Sequence, residues 1–143
     1  MIDKLTPERR SALMARVRSR NTDPELIVRR MCHRLGYRFR LHRKDLPGRP
    51  DLAFPKLRSV IFVHGCFWHR HANCKRASTP KTRATFWTLK FERNVGRDAS
   101  AKKALRKKGW RVLTVWECQL KRTVSLEARI TEFLEVAEHQ ERA

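Results

Sequence analysis

The stretch His64-Gly65-Cys66-Phe67-Trp68-His69-Arg70-His71-Ala72-Asn73-Cys74 holds two cysteines and three histidines within eleven residues. That is more ligand chemistry than a connecting loop needs. Tetrahedral zinc takes four sulfur or nitrogen donors; Cys66, His71 and Cys74 offer three, and Cys118, at the end of a later predicted strand, is the natural fourth. Such a set ties two distant parts of the chain together. His69 is an alternative to His71, since spacing alone allows either. The competing reading, ordinary buried thiols, suits Cys32, on the apolar side of a predicted helix, better than it suits this loop.

A second cluster, Leu46-Pro47-Gly48-Arg49-Pro50-Asp51, is a turn that delivers an aspartate to the start of a predicted strand. Hydrolysis of a phosphodiester needs a hard cation that neutralises the phosphate and activates water, and carboxylate oxygen is the ligand for magnesium. Asp51 is the candidate. A turn aspartate can also cap its own backbone, but the next strand, ending at His64, can return beside Asp51 and so favours the metal.

These groups need a scaffold. Thr6-Pro7-Glu8 predicts a basic helix to about Arg20, and Thr22-Asp23-Pro24-Glu25 opens another, with Ile27, Met31 and Leu35 at helical spacing and a stop at Gly36. Tyr37, Phe39 and Leu41 alternate with Arg38, Arg40 and His42, a strand with one wet face. Strands over Asp51–Phe54 and Ser59–His64 follow, joined by Pro55-Lys56-Leu57-Arg58; the apolar run Val60-Ile61-Phe62-Val63 marks a strand covered on both faces. A helical pattern from Thr82 to Lys108, interrupted near Gly96, leads to a strand from Trp110 to Trp116. That crossover makes a parallel pair, hence an α/β fold with a mixed sheet flanked by helices. Ser125 to His139 closes the chain as a helix with Leu126, Ile130, Phe133, Leu134 and Ala137 on one side.

The 143 residues suit a single domain, and 34 Lys+Arg against 14 Asp+Glu give a formal net charge of +20. A polyanionic partner accounts for that excess. No apolar run reaches the length of a bilayer span and the Met1-Ile2-Asp3-Lys4 start lacks a signal-peptide core, so the expectation is a cytoplasmic protein without a membrane partner.

Leu46-Pro-Gly-Arg-Pro-Asp51, Val60-Ile-Phe-Val-His-Gly-Cys-Phe-Trp-His69, Thr85-Phe-Trp87, Asn94-Val-Gly-Arg-Asp98 and Gly109-Trp-Arg-Val-Leu-Thr-Val-Trp-Glu-Cys118 together resemble the Vsr family of very-short-patch repair DNA mismatch endonucleases. The resemblance runs from about Leu5 to the final helix and implies a restriction-endonuclease-like fold. It implies that Asp51 binds Mg2+ together with the main-chain carbonyl of Val63, phosphate oxygens and water. It places His64, His69 and Glu25 around that centre, with His69 as general base or proton shuttle and the others fixing metal-bound water. Glu25 has a second reading, as the third-position acid of a capping box with Thr22.

The same resemblance makes Phe67, Trp68 and Trp87 an aromatic wedge that enters the base stack, where a mispair lowers the cost of unstacking. The implied activity is nicking of one strand 5′ to the thymine of a T:G mismatch in double-stranded DNA, the product of 5-methylcytosine deamination. The nick leaves a start for a DNA polymerase, with mismatch-repair proteins as further partners. A monomer associated with a bacterial nucleoid is expected. Three departures stand out: Val63 in place of a threonine, Ala72-Asn73 inserted among the histidines before Cys74, and histidine where related nucleases carry an acid and a lysine. The alternatives are a non-catalytic zinc-stabilised DNA-binding protein, and a nickase of this family with another mismatch or sequence specificity.

Overall fold

In the computed structural model of the chain, residues 22–142 are described. The basic helix expected from Thr6 to Arg20 lies outside them. The first described helix, α1 (Asp23–Arg34), opens as its sequence dictates: the Thr22 hydroxyl accepts from the Glu25 N–H at 3.4 Å, Pro24 sits in the first turn, and Asp23 and Glu25 complement the positive end of the dipole. Its inward face is Glu25, Val28, Met31 and Cys32. Ile27, expected inside, is 40% exposed, because the stripe through Val28 and Cys32 is the one that meets the sheet.

Among the described residues four strands form one mixed sheet in the order β1-β2-β3-β4, with β1 (Arg40–Leu41), β2 (Leu52–Phe54), β3 (Ser59–His64) and β4 (Arg111–Trp116). The first two pairings are antiparallel and β3 runs parallel to β4. β3 is covered on both faces, as its apolar run requires. Ile61 joins a core with Val28, Met31, Leu126, Ile130 and Leu134, while Val60 and Phe62 join a second core with Leu46 and Leu105. Helices α1 and α3 (Thr123–Arg142) therefore pack on one face and α2 (Ala84–Lys107) on the other.

Two expectations change. The strand predicted over Tyr37–His42 pairs only at Arg40 and Leu41. The rings of Tyr37 and Phe39 instead turn edge-on to Phe54, at 6.4 and 5.9 Å between centroids, and His42 takes a left-handed conformation (φ 46°) that ends the strand. Nor does Gly96 interrupt α2, which runs unbroken over 24 residues. One interior glycine costs a helix only about 1 kcal/mol, and buried Trp87, Phe91, Ala101 and Leu105 anchor it on both sides of that position.

The turn before Asp51 is held by close packing. Gly48 has φ +75°, and a Cβ there would lie 2.5 Å from the Ala101 Cβ of α2. Only glycine satisfies both demands. Pinned to α2 in this way, the turn sets Asp51 immediately ahead of β2.

Candidate functional site

Among the described residues, three groups of ligand-bearing side chains gather at the end of the sheet marked by the start of β2 and the end of β3. In each, one donor atom per residue lies within 4.8 Å of all the others. Cys66, His71, Cys74 and Cys118 form the first. The Nδ1 of His71 lies 3.4 Å from the Cys118 Sγ and 3.7 Å from the Cys66 Sγ. Parallel pairing of β3 with β4, which sets His64 opposite Trp116, brings Cys118 to this loop. Three sulfurs and one nitrogen are a donor set that suits zinc. His71, not His69, keeps company with the cysteines, and Cys32 is buried in the core away from them.

The second group is His64, His69 and Asp98. Nδ1 of His69 lies 2.6 Å from an Asp98 carboxylate oxygen. Burial alone would raise the Asp98 pKa, but the bond from His69 and the neighbouring His64 and Lys102 outweigh it and hold the carboxyl below its ordinary range. The carboxylate thus accepts from Nδ1–H, and in the neutral ring the lone pair then lies on Nε2. The His64 ring stacks on His69 with centroids 3.8 Å apart and planes 7° from parallel. His64 is buried, its Nδ1 has no hydrogen-bond partner, and burial followed by repulsion from His69 pushes its pKa down to about 3. It is a neutral imidazole at any physiological pH.

Glu25, His42 and Asp51 are the third group. An Asp51 carboxylate oxygen accepts the Val63 N–H at 2.6 Å, so the acid is fastened to β3 one residue before His64. Glu25, 1% exposed, receives a short hydrogen bond from His42 and pairs with Arg29 at 3.2 Å. It combines both roles foreseen for it, since its N–H serves the Thr22 cap while its side chain points into the site. Burial, and then the adjoining Glu25 carboxylate, push the Asp51 pKa up to about 8 against the Val63 bond. Two adjoining buried carboxylates, of which Arg29 offsets only part of the charge, are an arrangement that a divalent cation would relieve.

The aromatic residues also come together. Phe67 lies 5.1 Å from Trp68, 6.1 Å from Trp87 and 5.1 Å from Phe91 between centroids. Trp87, expected at the exposed wedge, is instead buried at 8% exposure against Phe67 and Trp68, because its place on the inward face of α2 sets it in the core. Lys90 stands 5.1 Å over the Trp68 ring, and the Arg70 guanidinium, stacked over Phe91, donates to the carbonyls of Ala77 and Ser78. Trp116 links the groups: it stacks on His71 at 4.3 Å and meets His64 edge-on at 5.3 Å.

The sequence profile described as DNA mismatch endonuclease Vsr matches residues 2–76. The chain belongs to the Vsr family. It is 53% identical over 135 residues to the type II nicking enzyme V.XorIIP of Xanthomonas oryzae, covering 94% of this chain and 98% of that protein. It is 42% identical over 134 residues to the DNA mismatch endonuclease Vsr of Escherichia coli, covering 93% and 83% of the two chains. A type II nicking enzyme of Neisseria meningitidis, V.NmeAIP, is 39% identical over 121 residues, or 85% and 86% of the two chains. Sequence reasoning assigned no role to His42 or Asp98. Asp98 lay within a quoted Vsr block, whereas His42 looked like one more polar position on a strand.

Proposed function

We propose that this Vsr-family chain is a magnesium-dependent endonuclease on a restriction-endonuclease-like scaffold, which nicks one strand of duplex DNA 5′ to the thymine of a T:G mispair. The observation that carries the reading is that the end of β3 joins two groups: the Val63 N–H holds Asp51, and the next residue, His64, stacks on the His69 that is bonded to Asp98. Asp51, Glu25 and the Val63 carbonyl offer the hard oxygens that magnesium takes. When bound there, the cation supplies charge neutralisation for the phosphate and acidifies a water.

The chain's own groups do the rest. Asp98 holds His69 so that Nε2 is the free base, and that nitrogen takes a proton from the attacking water. Water oxygen bonds to phosphorus, the bond to the 3′ oxygen breaks, and the leaving oxygen takes up a proton to become a 3′ hydroxyl. His64 stays neutral, so it orients water without competing for that proton. Zinc held by Cys66, His71, Cys74 and Cys118 fixes the loop that carries His69. Phe67 and Trp68 are the leading edge of an aromatic wedge with Trp87 behind it, and Lys90 and the +20 net charge meet phosphate.

The test is a panel of end-labelled duplexes that differ only in one base pair. Nicking of the T:G duplex much faster than its T:A counterpart, with the loss of that preference in Trp68→Ala at unchanged zinc content, is the expected result. Equal cutting of matched DNA would remove mismatch recognition and leave a metal-dependent nickase.

A further inference from the structure

We propose that His42 is a protein ligand of the cation centred on Asp51, so that this chain holds its catalytic metal through a mixed oxygen and nitrogen set from Glu25, His42 and Asp51. The inference rests on the Asp51-centred metal of the proposed function and adds to it a nitrogen donor.

The backbone brings the ring in. His42 follows β1 directly, and its N–H donates to the Asp51 carbonyl at 3.4 Å, which makes the two residues neighbours across the end of the β1–β2 pairing. Its left-handed conformation (φ 46°) is uncommon for a residue with a Cβ. With that turn the side chain, 17% exposed, reaches into the site and sets Nε2 against a Glu25 oxygen; the proton between them is released to solvent when a cation takes its place. One donor atom each from Glu25, His42 and Asp51 then lie within 4.8 Å of one another. Glu25 is fixed from the other side by Arg29, so the carboxylate has a partner without the imidazole.

The donor set has a chemical consequence. Carboxylate and water suit magnesium, whereas imidazole is a poor ligand for it and a good one for transition metals. A site with His42 in it should favour manganese(II) over magnesium by more than an all-oxygen site of the same charge does. A histidine that merely oriented Glu25 would leave that preference untouched.

The experiment uses the full zinc-loaded chain and manganese(II) as probe, with binding followed by the loss of the free-ion electron paramagnetic resonance signal and pulsed spectra taken on the bound ion. The expected result is a directly bonded nitrogen in the wild type that disappears in His42→Gln, whose amide still donates to Glu25. Manganese affinity should drop by roughly the ten- to hundredfold seen when a metal site loses a supporting partner, and magnesium affinity by less. Zinc content and melting temperature should not change. If Gln disturbs folding by those two measures, His42→Asn repeats the test with a residue that tolerates left-handed backbone. A nitrogen signal absent from the wild type, or surviving in the variant, overturns the ligand role of His42 while Asp51→Asn still abolishes manganese binding. Undiminished binding by Asp51→Asn would instead overturn the Asp51-centred reading, and this inference with it.

Discussion

The cluster of Cys66, His71, Cys74 and Cys118 and the cluster of Glu25, His42 and Asp51 are both small groups of ligand side chains, built in opposite ways. The first takes three of its four members from one short loop, and its donors are soft. Such a set closes around an ion and leaves no position open, as structural sites do. The second draws one residue from a helix, one from the end of a strand and one from the turn before the next, and its donors are hard or mixed. Glu25 is sealed in, while the His42 side chain remains 17% exposed. The second cluster is thus open to solvent on that side, as the proposed entry of phosphate and water requires. The loop His64–Cys74 serves the first cluster and the His69–Asp98 pair, with His71 facing the sulfurs and His69 facing Asp98.

That division can be broken most severely at the sulfurs. Cys118→Ser should reduce zinc from about one ion per chain to a small fraction and lower the melting temperature strongly, because binding of a structural ion is itself folding free energy. His69→Ala, two residues from a proposed ligand, should keep full zinc and cut nicking by about 10²–10⁴-fold, the usual worth of a positioned base. Metal analysis beside a nicking assay checks both. Zinc loss in the His69 variant with retention in His71→Ala would reverse the assignment of the two histidines.

A smaller effect belongs to Asp98, which acts through His69. Asp98→Asn should lower the single-turnover nicking rate by about 10–100-fold, typical of removing the partner that orients an imidazole, with DNA affinity unchanged. Its zinc content and melting temperature should stay close to those of the wild type, since Asp98 touches His69 and not the sulfurs. An unchanged rate would reduce Asp98 to a packing residue.

Smallest, and opposite in sign, is the effect of Asp51 on stability. Its pKa in the folded, metal-free chain is raised to about 8 from an ordinary 3.8, so the folded state holds a proton that the unfolded state releases. The stability this proton confers is fully present below pH 3.8 and is lost as pH rises through about 8. Glu25, Arg29 and His42 are the charged or titratable groups around it. Without added magnesium, Asp51→Asn should therefore melt several degrees above the wild type at pH 8, with a gap that narrows toward pH 5. A wild type more stable than the variant at pH 8 would contradict the electrostatic account of this site.

How much could be read in the residues follows the same division. Three metal ligands packed between Cys66 and Cys74 announce themselves, and the apolar run Val60–Val63 announced a strand buried on both faces. Helix ends were legible where cap chemistry was present, as at Thr22. Ile27 was misplaced because two apolar stripes compete along α1 and only packing on the sheet decides between them. The strand at Tyr37–His42 was overextended because alternation does not reveal that His42 turns left-handed. For the same reason His42 drew no notice: its link to Glu25 is a contact made by the fold between residues far apart in the chain. Asp98 needed the geometry of α2 against the loop.

The central claim is that Asp51 organises the chemistry and not the grip on DNA. Single-turnover nicking of a T:G duplex by the wild type and by Asp51→Asn, in magnesium and with binding measured on the same duplex, tests it most directly. The account predicts a loss of nicking of several orders of magnitude at nearly unchanged affinity, because phosphate contacts from the basic surface carry most of the binding. Nicking by Asp51→Asn at a rate near that of the wild type would contradict it.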